Sequence, residues 1–287
     1  VKEPTVKKLL IAGATLGLAL LSKYPAVLLF PIYLLIGIVV LLAKKEDKLS
    51  VSTPSPVPLQ KKIAIETPHN LLISLVMIFV IGDIFFNKCL HFMGSFTSFS
   101  EYNFKSGFLS KYLENHFYSS LPAPVPSPYL RGIDFQKTMS EKGQGSFLWG
   151  MHSTRGWWYY FIFAFLIKTP IPLLIFIAIT LIFFNRFTHK MKISEYSLIV
   201  PILFFFIYMS FFNHLNIGLR YILPIFPFIF VFVSKSINLK FRREAIFSVI
   251  FVFLVCWYLV SSLSIFPHYL AYFNEFVGGP KNGYKYL

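Results

Sequence analysis

His152-Ser153-Thr154-Arg155-Gly156-Trp157-Trp158-Tyr159-Tyr160, followed eight residues on by Lys168-Thr169-Pro170, decides how this sequence is read. It sets a His, an Arg and a Lys beside four consecutive aromatic residues. A long polar stretch precedes it and an apolar stretch follows. Trp and Tyr gather where a membrane meets water, because their rings are apolar while their N–H and O–H groups are not. The stretch therefore marks a bilayer surface. The chain around it should divide into a water-exposed loop and membrane helices.

Composition agrees. Of 287 residues, 56% are hydrophobic and 35 are Phe, the profile of an all-α polytopic membrane protein. The formal net charge is +15, but the cations sit in short loops between apolar stretches. That is the pattern of cytoplasmic loops and needs no nucleic acid as partner. Cys89 and Cys256 lie in or at the end of apolar stretches without C-x-x-C spacing and read as buried free thiols. Val1-Lys2-Glu3-Pro4 has neither a signal-peptide layout nor an initiator residue. The sequence reads as a fragment of a longer protein, ending within Asn282-Gly283-Tyr284-Lys285-Tyr286-Leu287.

A membrane-crossing helix needs roughly 17–25 apolar residues. Residues 6–42 are too long for one and are broken by Ser22-Lys23-Tyr24-Pro25. A hairpin with legs at 6–21 and 25–42 is expected, since one long tilted helix would bury Lys23. Residues 43–70, rich in Pro, Ser and Lys, read as a cytoplasmic linker, and 71–90 as the next span. Residues 91–155 form one long loop, with a polyproline-like stretch at 122–128 and a short helix near 109–117. Residues 156–167 read as an interfacial helix and 170–184 as a span, because Lys168-Thr169-Pro170 interrupts them. The rival is one continuous span over 157–184. Further spans are expected at 196–212, 217–234 and 245–266, about seven in all. Residues 156–266 thus form one membrane block, and 267–287 begin another extracytoplasmic region.

The basic loops 44–62, 186–192 and 235–243 belong on the cytoplasmic side. Alternation then places Lys23, the 91–155 loop, 213–216 and the tail from 267 on the extracytoplasmic side of a multi-pass cell-membrane protein. His152, Arg155, Lys168, Arg220, His214 and His268 share that side with Tyr24, Trp157, Trp158, Tyr159 and Tyr160. Arg offers a planar fork matched to phosphate oxygens, and aromatic faces suit sugar rings and isoprene units. Such a belt fits a lipid-linked phosphate. Each cation also has a plainer reading: Arg220 snorkelling to headgroups, Arg155 stacking on Trp157, Lys168 anchoring a boundary. The three His follow no ligand spacing, so no metal is assigned and divalent-metal dependence stays open; no cofactor is identified. Asp83, inside a span, reads first as the partner of a neighbouring Lys or Arg. A transporter or lipid flippase is the other functional class. It would line its spans with polar residues, whereas these spans are nearly all Phe, Ile and Leu.

Gly17-Leu18-Ala19-Leu20-Leu21-Ser22-Lys23-Tyr24 resembles a hairpin motif of GT-C glycosyltransferases. His152–Tyr160 with Lys168-Thr169-Pro170 resembles the loop-to-membrane junction of bacterial members of the dolichyl-phosphate-mannose–protein mannosyltransferase superfamily. Asn216-Ile217-Gly218-Leu219-Arg220-Tyr221-Ile222-Leu223-Pro224 resembles their RY-x-LP helix start. The segment from Pro267-His268-Tyr269-Leu270-Ala271-Tyr272-Phe273-Asn274-Glu275 to Pro280 resembles the sequence after one of their later spans. The motifs occur in the family's order over nearly the whole chain. The resemblance implies a GT-C helical domain that moves a sugar from a polyprenyl-phosphate carrier to a protein, lipid or glycan acceptor at the extracytoplasmic face. It places the family's catalytic aspartate in an N-terminal region this sequence does not contain, so the chain alone is expected to be inactive. Arg155 and Arg220 are then the first choices to hold the donor phosphate, with Lys23 and Lys168 behind them. His152 and Tyr160 would orient phosphate or sugar. Asp134 and Glu275 are carboxylates that could reach acceptor or sugar.

Overall fold

The computed structural model describes residues 5–50, 68–184, 193–239 and 244–287. The basic loop at 186–192, residues 240–243 and most of the 43–70 linker lie outside the described residues. What is described is mostly helical. It divides into two compact units, Val1–Glu141 and Lys142–Leu287.

In the first unit, α1 (Val6–Ser22) stops at Lys23, and a 3-10 segment, Tyr24–Leu28, leads into α2 (Leu29–Ser50). Pro25 sits in the first turn of that segment, where its missing N–H is harmless. The first residues of the expected linker therefore continue α2 as helix. After the linker, α3 (Pro68–Cys89) carries the unit's packing. Gly13 faces Ile81, and Gly17 faces Gly82 and Phe85, so α1 and α3 run in the same direction. Phe30 and Tyr33 of α2 meet Phe79, while Gly37 meets Leu75, so α2 runs the opposite way. The approach of α1 to α3 depends on small residues. A Cβ on Gly17 would stand 2.8 Å from the Gly82 carbonyl oxygen, a backbone atom with little freedom to give way. Leu16, Leu20, Phe86 and Tyr129 form the buried centre.

Tyr129 belongs to α4 (Ser127–Lys142), a helix in a part of the long loop where none was expected. Its ring meets Phe86 and Tyr24, and its hydroxyl donates to the Tyr24 carbonyl oxygen at 3.2 Å. Burial pushes that phenol well above the usual tyrosine range. The Lys23–Leu28 break is thereby fastened to the loop. The Pro-rich stretch before α4 is extended: the Ala123 N–H donates to the Thr97 carbonyl, the Ala123 carbonyl accepts from the Phe96 N–H, and Ser98 bridges Pro122. The short helix expected near 109–117 is instead one α-turn, Gly107–Leu109, a π-turn, Ser110–Glu114, and a 3-10 turn, Phe117–Ser120.

The second unit opens with a two-stranded antiparallel hairpin, β1 (Ser146–Leu148) and β2 (Met151–Ser153). Trp149 and Gly150 form its turn, both at positive φ, as a two-residue hairpin turn requires. Next come α5 (Tyr160–Lys168) and α6 (Ile171–Ile182), bent by 113° at Thr169-Pro170. Pro170 removes a backbone donor, which rules out the single straight span over 157–184. Then follow α7 (Ile193–Phe211), α8 (Phe226–Val233) and α9 (Glu244–Leu263). Glu195 at the start of α7, buried, accepts from Lys235 at 2.6 Å, which neutralises both charges at that end.

Among the described residues four helices are long and apolar enough to cross a membrane, or five if the bent pair is one span. The described residues do not by themselves show the seven spans expected from sequence. At 17 residues α1 is ~26 Å long, below the ~30 Å hydrocarbon core. Residues 217–234 begin with two 3-10 turns around Pro224, which leaves only Leu223–Ile237 as a short apolar helix. Cys89 and Cys256, expected to be buried, are both exposed.

Candidate functional site

The aromatic–cationic stretch is built by two chain segments that lock together within the second unit. Ser153 ends β2, and its Oγ accepts from the N–H groups of Arg155 and Gly156 at 3.2 and 3.1 Å. This turn orients the backbone at Arg155. Gly156 has φ +68°, and the Asn216 side chain occupies the place a Cβ would take, so only glycine fits. Asn216, buried, donates through Nδ2 to the Trp157 carbonyl at 3.3 Å. Two residues on, the Gly218 N–H donates to Tyr160 Oη at 2.9 Å. Tyr160, 3% exposed, is therefore an internal pin of the junction. Arg220 follows in the turn Leu219–Tyr221, its guanidinium 5.6 Å from the Tyr221 ring and near enough for its charge to act on Tyr160.

Arg155 and Arg220 thus flank one contact, from opposite chain segments. Both are exposed, and neither has a carboxylate partner among the described residues. Arg155 does not stack on Trp157; Trp158 instead stacks on Phe211 and stays exposed. His152 is exposed on β2, directly across from Phe147, with ring centroids 5.1 Å apart.

Lys168 is elsewhere. It ends α5, ~12 Å along the helix from Tyr160. Its Nζ donates to the Leu270 carbonyl at 2.7 Å and lies 4.0 Å from the centroid of the Phe273 ring. Lys168 therefore ties the α5–α6 bend to the segment after α9. Lys23 belongs to the first unit, exposed between α1 and the Tyr24–Leu28 turn.

Two carboxylates separate clearly. Asp134 is 7% exposed, and its two oxygens accept from the N–H groups of Lys105 and Ser106, each at 2.9 Å. It organises the loop, with both oxygens engaged there and the side chain buried. Glu141 does the same for Gly107 and Phe108, and Glu114 for Phe104. Glu275 is exposed and accepts from Trp257 Nε1 at 3.2 Å. Asp83 meets no Lys or Arg among the described residues; the expected ion pair is not formed. Asn87, one turn further along α3, donates to its backbone carbonyl and to that of Pro124, and accepts from Ser95.

Sequence reasoning passed over Asn274, which is fully buried. Its N–H donates to the Ile167 carbonyl at 2.8 Å, and its Nδ2 to the Leu166 and Thr169 carbonyls at 2.7 and 2.9 Å. These carbonyls stand at the end of α5, where the proline leaves them without helical donors. Phe273 and Val277 pack on Ile167 beside it. The available signal was an amide residue framed by aromatics, Tyr272-Phe273-Asn274, where a polar group has to be matched. Among the described residues no three His, Cys, Asp or Glu side chains gather as a metal site would. Compared with known proteins, the chain matches no family model, no curated protein and no solved structure.

Proposed function

We propose that this chain is a GT-C-type membrane domain of a glycosyltransferase. It takes a sugar from a polyprenyl-phosphate carrier and delivers it to an acceptor at the extracytoplasmic face of the cell membrane. One observation carries this reading: Arg155 and Arg220 lie exposed, with no carboxylate partner among the described residues, on two segments locked together through Asn216 and Tyr160. Guanidinium groups without a carboxylate beside exposed Trp158 and Tyr159 suit a phosphate at headgroup depth, with aromatic faces for its prenyl chain. As the carrier phosphate leaves, its charge grows, and preorganised cations favour that change over the bound ground state. In this reading His152 contacts the sugar or the phosphate from the hairpin. Tyr160 is a positioning residue, since its hydroxyl already accepts from Gly218. Lys168 serves the fold. No residue of this chain is assigned as the general base.

Transfer from a radiolabelled polyprenyl-phosphate sugar, measured in membranes holding the full-length protein, tests the assignment. Arg155→Ala and Arg220→Ala should each lower turnover by about 10²-fold, the scale of losing one preorganised donor. Their thermal stability should stay within ~0.5 kcal/mol, because both side chains are exposed. Unchanged turnover in both variants overturns the phosphate clamp.

A further inference from the structure

A cavity of ≈ 230 Å³ opens where the last turns of α9 meet the segment after it. Trp257 and Ser261 line it from the helix, Ser264 from the turn that follows, and Tyr272, Phe273 and Glu275 from the segment. We propose that this cavity binds a single pyranose ring.

The chemistry of the lining selects that ligand. Tyr272 is buried, and its hydroxyl finds no partner at hydrogen-bonding geometry, although Ser261 lies beside it. A buried polar group left unmatched costs about 1–3 kcal/mol, but this hydroxyl is closed off from the cavity, so the groups that do face it select the ligand. Glu275 Oε1 is engaged by the Trp257 indole N–H, which fixes the carboxylate and leaves Oε2 as an acceptor. Ser264 Oγ donates to the Ser261 carbonyl, so the lone pairs of its hydroxyl remain available. The wall thus offers a carboxylate acceptor and a hydroxyl, set among the rings of Trp257 and Phe273. A sugar ring presents the complement: hydroxyl groups that both donate and accept around an edge, and apolar C–H faces. A quaternary ammonium group would match only the carboxylate and the rings and would leave the Ser264 hydroxyl unanswered. The volume lies below the roughly 300–1,000 Å³ of drug-sized sites, enough for one ring and not a chain. That the ring belongs to a glycan acceptor rests on the glycosyltransferase reading; the binding itself does not.

The test needs no donor and no turnover. The full chain in detergent is titrated with methyl hexopyranosides to about 100 mM, far beyond the mM Kd of a weak single-ring site. Indole fluorescence is the readout. A saturable change is expected in the unaltered protein and is absent in Trp257→Phe, which keeps Trp149, Trp157 and Trp158. Glu275→Gln should weaken binding about 10-fold through loss of the charged acceptor. Ser264→Leu, at the exposed rim, should block the cavity even if the Glu275 variant fails to fold. Arg155→Ala should bind as the unaltered protein does, so loss of transfer and loss of ring binding are separable. The proposal is overturned if no hexoside gives saturation, if the signal survives both Trp257→Phe and Ser264→Leu, or if choline saturates the site and hexosides do not.

Discussion

Carboxylates of the first unit and arginines of the second are placed in opposite ways. In the first, Glu114, Asp134 and Glu141 each aim at backbone N–H groups of residues 104–108, so three carboxylates serve a single loop. In the second, Arg155 and Arg220 stand exposed at a junction whose own hydrogen bonds are made by Ser153, Asn216, Gly218 and Tyr160. A charge that satisfies the backbone is bound to the fold, whereas a charge that the fold does not need is available to a ligand. The difference directs functional attention to the second unit, although both carry conspicuous polar residues.

The sharpest way to break this contrast is to remove a polar group of the second unit that does belong to the fold. Asn274→Ala deletes both donors to the Leu166 and Thr169 carbonyls and leaves them buried without partners. The expected loss is about 3 kcal/mol, since each unmatched buried group costs about 1–3 kcal/mol. A thermal unfolding scan in detergent should show the midpoint about 6–10 °C lower. A shift no larger than that of Arg155→Ala would mean that the bend is not held from the C-terminal side.

Asp134→Asn probes the first unit with a smaller effect. An amide keeps one acceptor oxygen but turns an N–H₂ group toward a backbone N–H that needs an acceptor. About 2 kcal/mol should be lost, as one charge-assisted bond disappears and a second weakens. Sugar transfer per folded molecule should not change. A selective loss of transfer at full stability would return Asp134 to the functional residues and erase the contrast.

What could be read in the sequence follows physical scale. The helical membrane class is a property of long apolar stretches, and no local detail can hide it. The break at Lys23 falls where a lysine and a proline meet, the two residues least compatible with a helix continuing through lipid. The number of spans was not legible, because apolar content measures burial in lipid or protein without separating them. Residues 217–234 are apolar enough, yet Gly218 and Pro224 divert them into 3-10 turns. The helix α4 was hidden by its composition, Ser127-Pro128 at the start and many polar residues along it; its apolar side is set by contact with Tyr24 and Phe86. At the site, residue type pointed to Arg155, Arg220 and Lys168 alike. Only geometry separates them, since the Lys168 ammonium already has the Leu270 carbonyl and the Phe273 ring. Asp134 and Glu275 were equally indistinct as carboxylates until their partners were known.

The finest probe of the second unit is a titration. Burial, followed by the charge of nearby Glu275, pushes the Tyr272 phenol up to about 12 from its ordinary value of 10.0. Folding therefore favours the protonated phenol. Its contribution to stability is complete below pH ~10 and is lost as the pH rises from there through about 12, with no effect at neutral pH. In an alkaline absorbance titration at low detergent, the unaltered protein minus Tyr272→Phe should show one phenol ionising after the exposed tyrosines. Glu275→Gln should move that step to lower pH, because one of the causes that raise it is removed while burial stays. A Tyr272 step at the ordinary value would mean that the hydroxyl reaches water and is not buried as its packing shows.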